Sequence, residues 1–457
     1  MLNDRQIRRT LAVLAIASLV GTIYASAIPL KLRPATLSEV WEQFLNTPLL
    51  SLGLGKRADW VANGLVLIPF GFFFAGACQW PKSSFQKKQL VLIGFAFLQL
   101  VIVSAIEAMQ VWFPPRVRSI NDMAAGFIGG MTGMLLWQLC GQQIVQAAKN
   151  FPALGKGFPR IALIVKVATI ALVLYGTMPF DVMFTPNEWA AKYAKGRFNL
   201  VPMHDVLGPA DFTKKFILGG WALVLGVVLA QQNSRSKAIQ QILAWCLLVE
   251  LVSLPIYGRE TSTTALLFSG IWGVLGVRLS DTVFITAHRL DRAHVWFGAT
   301  AAWSVMVYLS FVYRFKQVVT DTNLLMERIQ GLWAVPFARA QRSTEFQALE
   351  NITLKLAVFS LLGFLLTGWL TRLQSSNRIV LIGVFAVWSL LLAFLIEISQ
   401  TFLPPLVADA TDILLYTTGS LLGLIAYRVL MPSSKSITTA CHAPPRCSAI
   451  TDDQRDG

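Results

Sequence analysis

Ser104-Ala-Ile-Glu107-Ala-Met-Gln110-Val-Trp-Phe-Pro114-Pro115-Arg116-Val-Arg118-Ser119-Ile-Asn121-Asp122 closes a long apolar run that opens near residue 90. A run of that length crosses a bilayer as a helix, which puts Glu107 inside a membrane segment, close to its end. Residues three apart share a helix face, so Ser104, Glu107 and Gln110 make one polar stripe that should face other helices rather than lipid. The paired prolines stop the helix and force a tight reversal. Beyond them Ser119 and Asp122 have the spacing of a capping pair for the next helix. The reversal brings Arg116 and Asp122 back towards Glu107. A charged group at that depth is costly unless it is paired or wetted, so the expected arrangement is a cluster of Glu107, Arg116 and Asp122 at the mouth of a helix bundle.

The rest of the chain has the same character. Hydrophobic residues make up 55% of the 457 and charged residues 14%, with a mean hydropathy of +0.58, against about 25% charged in soluble domains. Twelve segments have the length and apolarity of membrane helices, at about 10–28, 59–78, 90–112, 120–140, 160–179, 214–231, 238–256, 262–279, 295–313, 353–371, 379–401 and 411–429. The net charge of +15 comes from Lys and Arg dispersed in short connections, which fits topology rather than nucleic-acid binding. The segments Arg5–Arg9, Lys82–Lys88, Lys149–Arg160, Arg235–Lys237, Arg278–Arg292 and Arg372–Arg378 fall on one side, expected to be the cytoplasm, with both termini. The other side receives three long polar loops, about 29–58, 180–213 and 314–352, alternating with tight reversals. Ala25-Ser26-Ala27 has the look of a cleavage site, but its helix takes the same place as the fifth and ninth and is expected to stay.

That alternation has a period of four helices, and the acids test it. Glu107, Glu250 and Glu397 lie near the ends of the third, seventh and eleventh segments, 143 and 147 positions apart. Gly133, Gly276 and Gly423 each follow their Glu by 26 residues. Arg116 and Arg259 follow by nine, Gln110 and Gln400 by three, Asp122 and Asp412 by fifteen. The third copy reads Glu397-Ile-Ser-Gln400-Thr-Phe-Leu-Pro404-Pro405-Leu-Val-Ala-Asp409-Ala-Thr-Asp412 and has Leu406 in place of the arginine. Its three carboxylates must share protons, bind a cation or borrow a partner from another unit. The second keeps Glu250 and Arg259 but has Ser253 and Ala265 for the Gln and the second acid. In the long loops Asn199-Leu-Val-Pro202 parallels Ala334-Val-Pro336-Phe337, and Ala27-Ile28-Pro29 is the weak counterpart in the first unit.

For Ser119 and Asp122 alone capping and a ligand site are equally good readings, but a cap requires no acid one turn inside the preceding helix, so Glu107 with Arg116 is read as functional. Asp59 and Asn63 share a face of the second helix, which Pro69 interrupts, and that face together with Gly126, Gly129, Gly130 and Gly133 is read as packing. Five cysteines are scattered and read as unpaired, and four histidines lie away from the acids, so no metal site is expected.

The run from Asn63 into Pro69-Phe70-Gly71, the Glu107-x-x-Gln110 helix end, and then Arg116 and Asp122 ahead of Gly129 and Gly133 resemble VanZ-like proteins. The likeness covers about 59–137 and about 386–426, and Asn199 to Pro202 resembles the family's loop motif. Taken with the apolar runs and the repeat, it gives the expectation of an all-α integral membrane protein of about twelve transmembrane helices in three VanZ-like four-helix repeats. These would span 1–150, 151–290 and 291–431, with a disordered cytoplasmic tail at 432–457. Family members are usually single units of four or five helices, so three in one chain is a departure. The family is named for a membrane protein associated with glycopeptide, chiefly teicoplanin, resistance. It carries no agreed reaction, and the resistance is not transferred here.

Three functions compete. The first is binding or movement of an envelope lipid or glycolipid at the outer face of a bacterial cytoplasmic membrane, with membrane lipids or a lipid-linked envelope precursor as partner. The candidate site is Glu107, Gln110, Arg116 and Asp122 with Glu250, Arg259, Glu397, Gln400, Asp409 and Asp412. The second is an enzyme on a lipid-linked substrate using Glu107 and Asp122 as acid and base. No nucleophile motif, cofactor motif, metal set or nucleotide loop accompanies them, and this reading ranks below the first. The third is a non-catalytic envelope scaffold working through its long outer loops.

Overall fold

The computed structural model describes residues 4–28, 30–50, 53–78, 84–114, 118–203, 209–289, 292–312, 319, 321–331, 337, 345–373, 377–403, 406 and 408–431. Arg116, His204, and the segment 432–457 with the expected tail lie outside them. The described chain is a succession of helices. Long helices α1 (Asp4–Ala27), α3 (Leu54–Ala77), α4 (Phe85–Met109) and α5 (Ile120–Asn150) are joined by a short α2 (Leu37–Leu45). Then come α6 (Phe158–Gly176), a short α7 (Pro186–Ala194), α8 (Pro209–Gln232), α9 (Arg235–Ser253) and α10 (Thr263–Arg289). Last are α11 (Ala293–Val312), a short α12 (Thr322–Gly331), α13 (Glu345–Leu370), α14 (Arg378–Thr401) and α15 (Ala410–Leu430). Among the described residues eleven helices are long and apolar enough to cross a membrane. The segment expected at 214–231 falls on α8, whose described apolar stretch is only Leu218–Gln232.

Sequence reading gave the three long loops no helices, and there the structure differs. Thr36 caps α2 and Thr185 caps α7, each accepting the N–H of a glutamate three residues on, Glu39 and Glu188, whose side chain returns to the cap backbone. Asp321 takes that place before α12 by accepting the N–H of Asn323 at 2.9 Å. These boxes satisfy N–H groups that a short helix otherwise leaves bare.

Small residues set the closest helix approaches. A Cβ at Gly133, Gly276 or Gly423 would lie 2.1, 2.2 or 1.9 Å from the carbonyl oxygens of Ile68, Leu223 and Ser360 respectively. The three glycines are therefore the points where α5, α10 and α15 touch the backbones of α3, α8 and α13, as small residues permit where lipid supplies no hydrophobic drive. Each of these pairs belongs to its own buried core. Phe70, Phe95 and Met134 form one, Leu225, Ile242 and Val277 another, Phe359, Leu392 and Tyr416 a third.

Polar ties at the helix ends join the cores into one bundle. Arg57, at the start of α3, reaches Glu188 of α7 at 3.1 Å and the Val182 carbonyl at 3.1 Å. The Tyr175 hydroxyl, at the end of α6, donates to Glu350 at the start of α13 at 2.6 Å. At the opposite end Arg160 donates to the carbonyls of Val429, Leu154 and Pro152 at 2.6, 3.0 and 3.1 Å. The reversals after α4, α9 and α14 consequently share one end of the bundle. Gly276→Ala is expected to cost about 1–3 kcal/mol by forcing α8 and α10 apart, read as a lower thermal midpoint in detergent. Gly94→Ala, with nothing within 4 Å of the new methyl, should not lower it.

Candidate functional site

Of the glutamates that define the repeat, Glu107 and Glu397 are buried and Glu250 is half-buried, and the carboxylates of Glu250 and Glu397 meet the start of the next helix. Glu397 is 1% exposed and its Oε2 accepts the backbone N–H of Asp409 at 2.7 Å. Asp409 caps α15, its Oδ1 accepting from the Thr411 N–H at 2.9 Å and the Thr411 hydroxyl at 2.8 Å. Glu250 accepts from the Ser262 N–H at 3.0 Å, and Ser262 Oγ in turn accepts from the Ala265 N–H at 3.1 Å. Donor and acceptor are twelve residues apart in both. Ser119 holds that position in the first hairpin, where it is buried and accepts the Asp122 N–H at 3.1 Å. Glu107 is likewise buried, with Gln110 Nε2 3.5 Å from its Oε1. Gln400 turns elsewhere, donating to the Phe311 carbonyl of α11 at 3.2 Å. An acid inside the preceding helix thus does serve a cap: it binds the backbone of the capping residue itself, where the positive end of the helix dipole favours negative charge.

Cations complete the hairpins from unexpected places. Arg259 donates to the carbonyls of Met178 and Tyr175 at 2.7 and 2.8 Å and lies 4.3 Å over the Tyr175 ring, so it closes the end of α6. Arg116, its counterpart by spacing, lies outside the described residues. The long helices form three successive quartets, α1 with α3–α5, α6 with α8–α10 and α11 with α13–α15, and in the second the ammonium near Glu250 belongs to Lys192 of α7, which is fully buried. It donates to the carbonyls of Ser253, Leu254 and Ile256 at 3.2, 2.8 and 2.8 Å, with the Phe198 ring 4.7 Å away. Burial pushes its pKa down to about 8, against the pull of Asp181 and Glu250, so at neutral pH it is still charged. Arg328 of α12 does the same for α14. It donates to Gln400 at 2.9 Å, Thr401 at 2.7 Å, Leu403 at 2.9 Å, and also to Leu406. Measured from the glutamate, both cations bind the carbonyls at +3, +4 and +6, and both stand seven residues after their helix cap.

The acids of the third hairpin were expected to share protons, bind a cation or borrow from another unit. Instead Asp412 pairs with Lys355 of its own α13 at 2.5 Å. Gly71, Gly226 and Gly363 each pack against the residue 23 after their glutamate, namely Gly130, Gly273 and Ser420. That register sets Asn63 and Leu218 at the place of Lys355, opposite Asp122 and Ala265 at the place of Asp412. Where the acid is lost, its partner is apolar. Asn63 is half-buried and Asp59, one turn away, is exposed.

The long loops dock on the same ends. The Met203 N–H donates to Thr264 at 2.8 Å and the Phe337 N–H to Thr411 at 2.9 Å, each hydroxyl fourteen after its glutamate. In the first quartet Asn121 occupies that position and exchanges hydrogen bonds with the Leu50 backbone at 3.1 and 2.9 Å. Thr47-Pro48-Leu49-Leu50 is therefore the counterpart of the Asn199 loop, and the match to Ala27-Ile28-Pro29 is corrected. Ala27-Ile28 ends α1 as Thr177-Met178 ends α6: Leu30 and Phe180 both have φ near +60° and donate to Ala27 and Thr177 at 2.9 and 2.8 Å. A short parallel pairing of β1 (Phe198–Asn199) with β2 (Thr261–Ser262) fastens the second loop.

Sequence reasoning missed Lys192 and Arg328. A signal existed, a cation at a fixed step after a capping residue, but it emerges only once the short helices are placed. Among the described residues no group of three or more His, Cys, Asp or Glu could hold a metal ion. In comparison with known families, the model described as VanZ/LLP1 matches residues 11–141 and, separately, 296–431. No curated protein and no solved structure matches the chain.

Replacing Lys192 by Met strands three inward-facing carbonyls and is expected to cost about 3 kcal/mol or more, read as lost thermal stability in detergent. Lys192→Arg should keep most of it, since Arg328 performs that task in the third quartet. A Met variant as stable as the parent would contradict this account of the clamp.

Proposed function

Since the chain belongs to the VanZ/LLP1 family, we propose that it binds an envelope lipid or glycolipid at the outer face of a bacterial cytoplasmic membrane, through the polar end of its helix bundle. The protein is a multi-pass membrane protein with an internal repeat. In this reading it has twelve spans in three four-helix units, 1–150, 151–290 and 291–431, with both termini cytoplasmic. The recurrence of one set of hairpin contacts in 151–290, which the family match leaves uncovered, supports the second unit. The positive-inside bias supports the orientation.

The observation that carries the lipid reading is the burial of Glu107 beside Gln110 at the end of a membrane helix. A carboxylate at that depth is costly and marks a site by default. Glu107, Gln110 and Asp122 would hold the polar headgroup, with Arg116 contributed by the hairpin. The acids stand near the helix ends rather than at mid-membrane, which favours binding or presentation at one leaflet over a full transport cycle. One observation favours a scaffold instead: Glu250 and Glu397 are engaged by backbone N–H groups, a structural use of the same acid.

Glu107→Gln separates the two. If the protein accumulates normally, the lipid reading expects loss of a co-purified lipid, seen by mass spectrometry, together with loss of the cellular phenotype. A scaffold would retain both.

A further inference from the structure

One position sets the first quartet apart from the other two. Seven residues after the cap of the short helix stand Lys192 in α7 and Arg328 in α12, each plugged into the carbonyls at the end of the third long helix. In α2 the seventh residue after Thr36 is Gln43, which has no charge and accepts from Arg118 at 2.8 Å. The carbonyls equivalent to those that bind Lys192 are Gln110, Val111 and Phe113. Among the described residues no side-chain cation donates to them. The buried Glu107 lies one turn below, as Glu250 lies below the Lys192 site.

At Phe113 a cleft of about 670 Å³ opens, lined also by Leu32, Arg33, Thr36, Glu39 and Trp112. Its walls are pinned together. The Arg33 N–H donates to the Trp112 carbonyl at 2.8 Å, and the Trp112 indole donates to the Ala35 carbonyl at 3.0 Å. The exposed Arg33 and Phe113, the last residue of the carbonyl cradle, thus line one cleft. The short helix alongside turns Leu37, Trp41 and Leu45 outwards, 78, 62 and 64% exposed. That is the pattern of a helix lying in a membrane interface.

We propose that the first quartet takes from a lipid the cation that the other two carry themselves: its cradle receives the primary ammonium of a zwitterionic headgroup while Arg33 meets the phosphate. Three donors on one nitrogen match three converging carbonyls, as Lys192 demonstrates inside the same chain. A quaternary ammonium has no N–H and cannot make those bonds. The site is thereby selective for an ethanolamine headgroup over choline, and for a zwitterion over glycerol. This assignment deepens the lipid reading above and rests on it.

The test uses the full-length protein in detergent, titrated with short-chain phosphatidylethanolamine, phosphatidylcholine and phosphatidylglycerol. The ethanolamine lipid should bind at least about tenfold more tightly than the choline lipid, the scale of charge-assisted hydrogen bonds. Gln43→Lys should plug the cradle from within, bring ethanolamine binding down to the choline level, and leave the thermal midpoint no lower than that of the parent. Equal affinity of the unmodified protein for ethanolamine and choline lipids would overturn the ammonium site while leaving a lipid binder. An undiminished ethanolamine preference in a folded Gln43→Lys protein would overturn the cradle as its location. Absence of binding by all three lipids would remove the lipid reading and this inference together. Should Gln43→Lys not fold, the headgroup preference of the unmodified protein decides the matter alone.

Discussion

A hydrogen bond between a glutamate carboxylate and the N–H of the next helix's capping residue is the contact around which the second and third hairpins are organised. A chain that turns at the edge of a bilayer leaves carbonyls at the end of one helix and N–H groups at the start of the next, with little water to satisfy either. In the second and third quartets the glutamate answers the N–H groups from below, and a cation on the short loop helix answers the carbonyls from above. Opposite charges are therefore held close at the reversal without a direct ion pair being required, each one bound first to backbone.

This explains how a strongly basic chain uses its charge. Arg57, Arg160, Arg259, Arg328 and Lys192 all donate to main-chain carbonyls. Helix C-termini carry partial negative charge, and a guanidinium can serve several carbonyls at once. Arg57 and Arg160 tie neighbouring quartets together at their ends, whereas Arg259, Arg328 and Lys192 close helix ends within their own, and each quartet keeps a core of its own.

What the sequence disclosed and what it hid follow from the range of the interactions. The 26-residue step from Glu107 to Gly133 is legible because it runs along one hairpin of fixed rise, and the glycine is required where backbone meets backbone. Glu107, Gln110, Asp122 and their counterparts all lie at one bundle end, as their spacing implied. The target of Arg259 was not legible, because the α6 carbonyls lie about 80 positions upstream and no local pattern points to them. The short helices α2 and α7 were legible in principle from Thr36-x-x-Glu39 and Thr185-x-x-Glu188 but were masked by the polarity of their loops. Ala27-Ile28-Pro29 misled because a proline after small and apolar residues recurs at more than one kind of helix end. Lys355 could be paired with Asp412 only after helix register was known.

The central claim is that three equivalent hairpins face the same side of the membrane. It is tested by a membrane-impermeant thiol reagent applied to intact cells carrying Glu42→Cys, Asn187→Cys or Thr322→Cys, one at a time, with the five native cysteines replaced by Ser. These exposed positions lie on α2, α7 and α12. The account predicts labelling of all three from outside. Labelling of Asn187→Cys only after the membrane is opened would contradict it, because the central quartet would then face the other way.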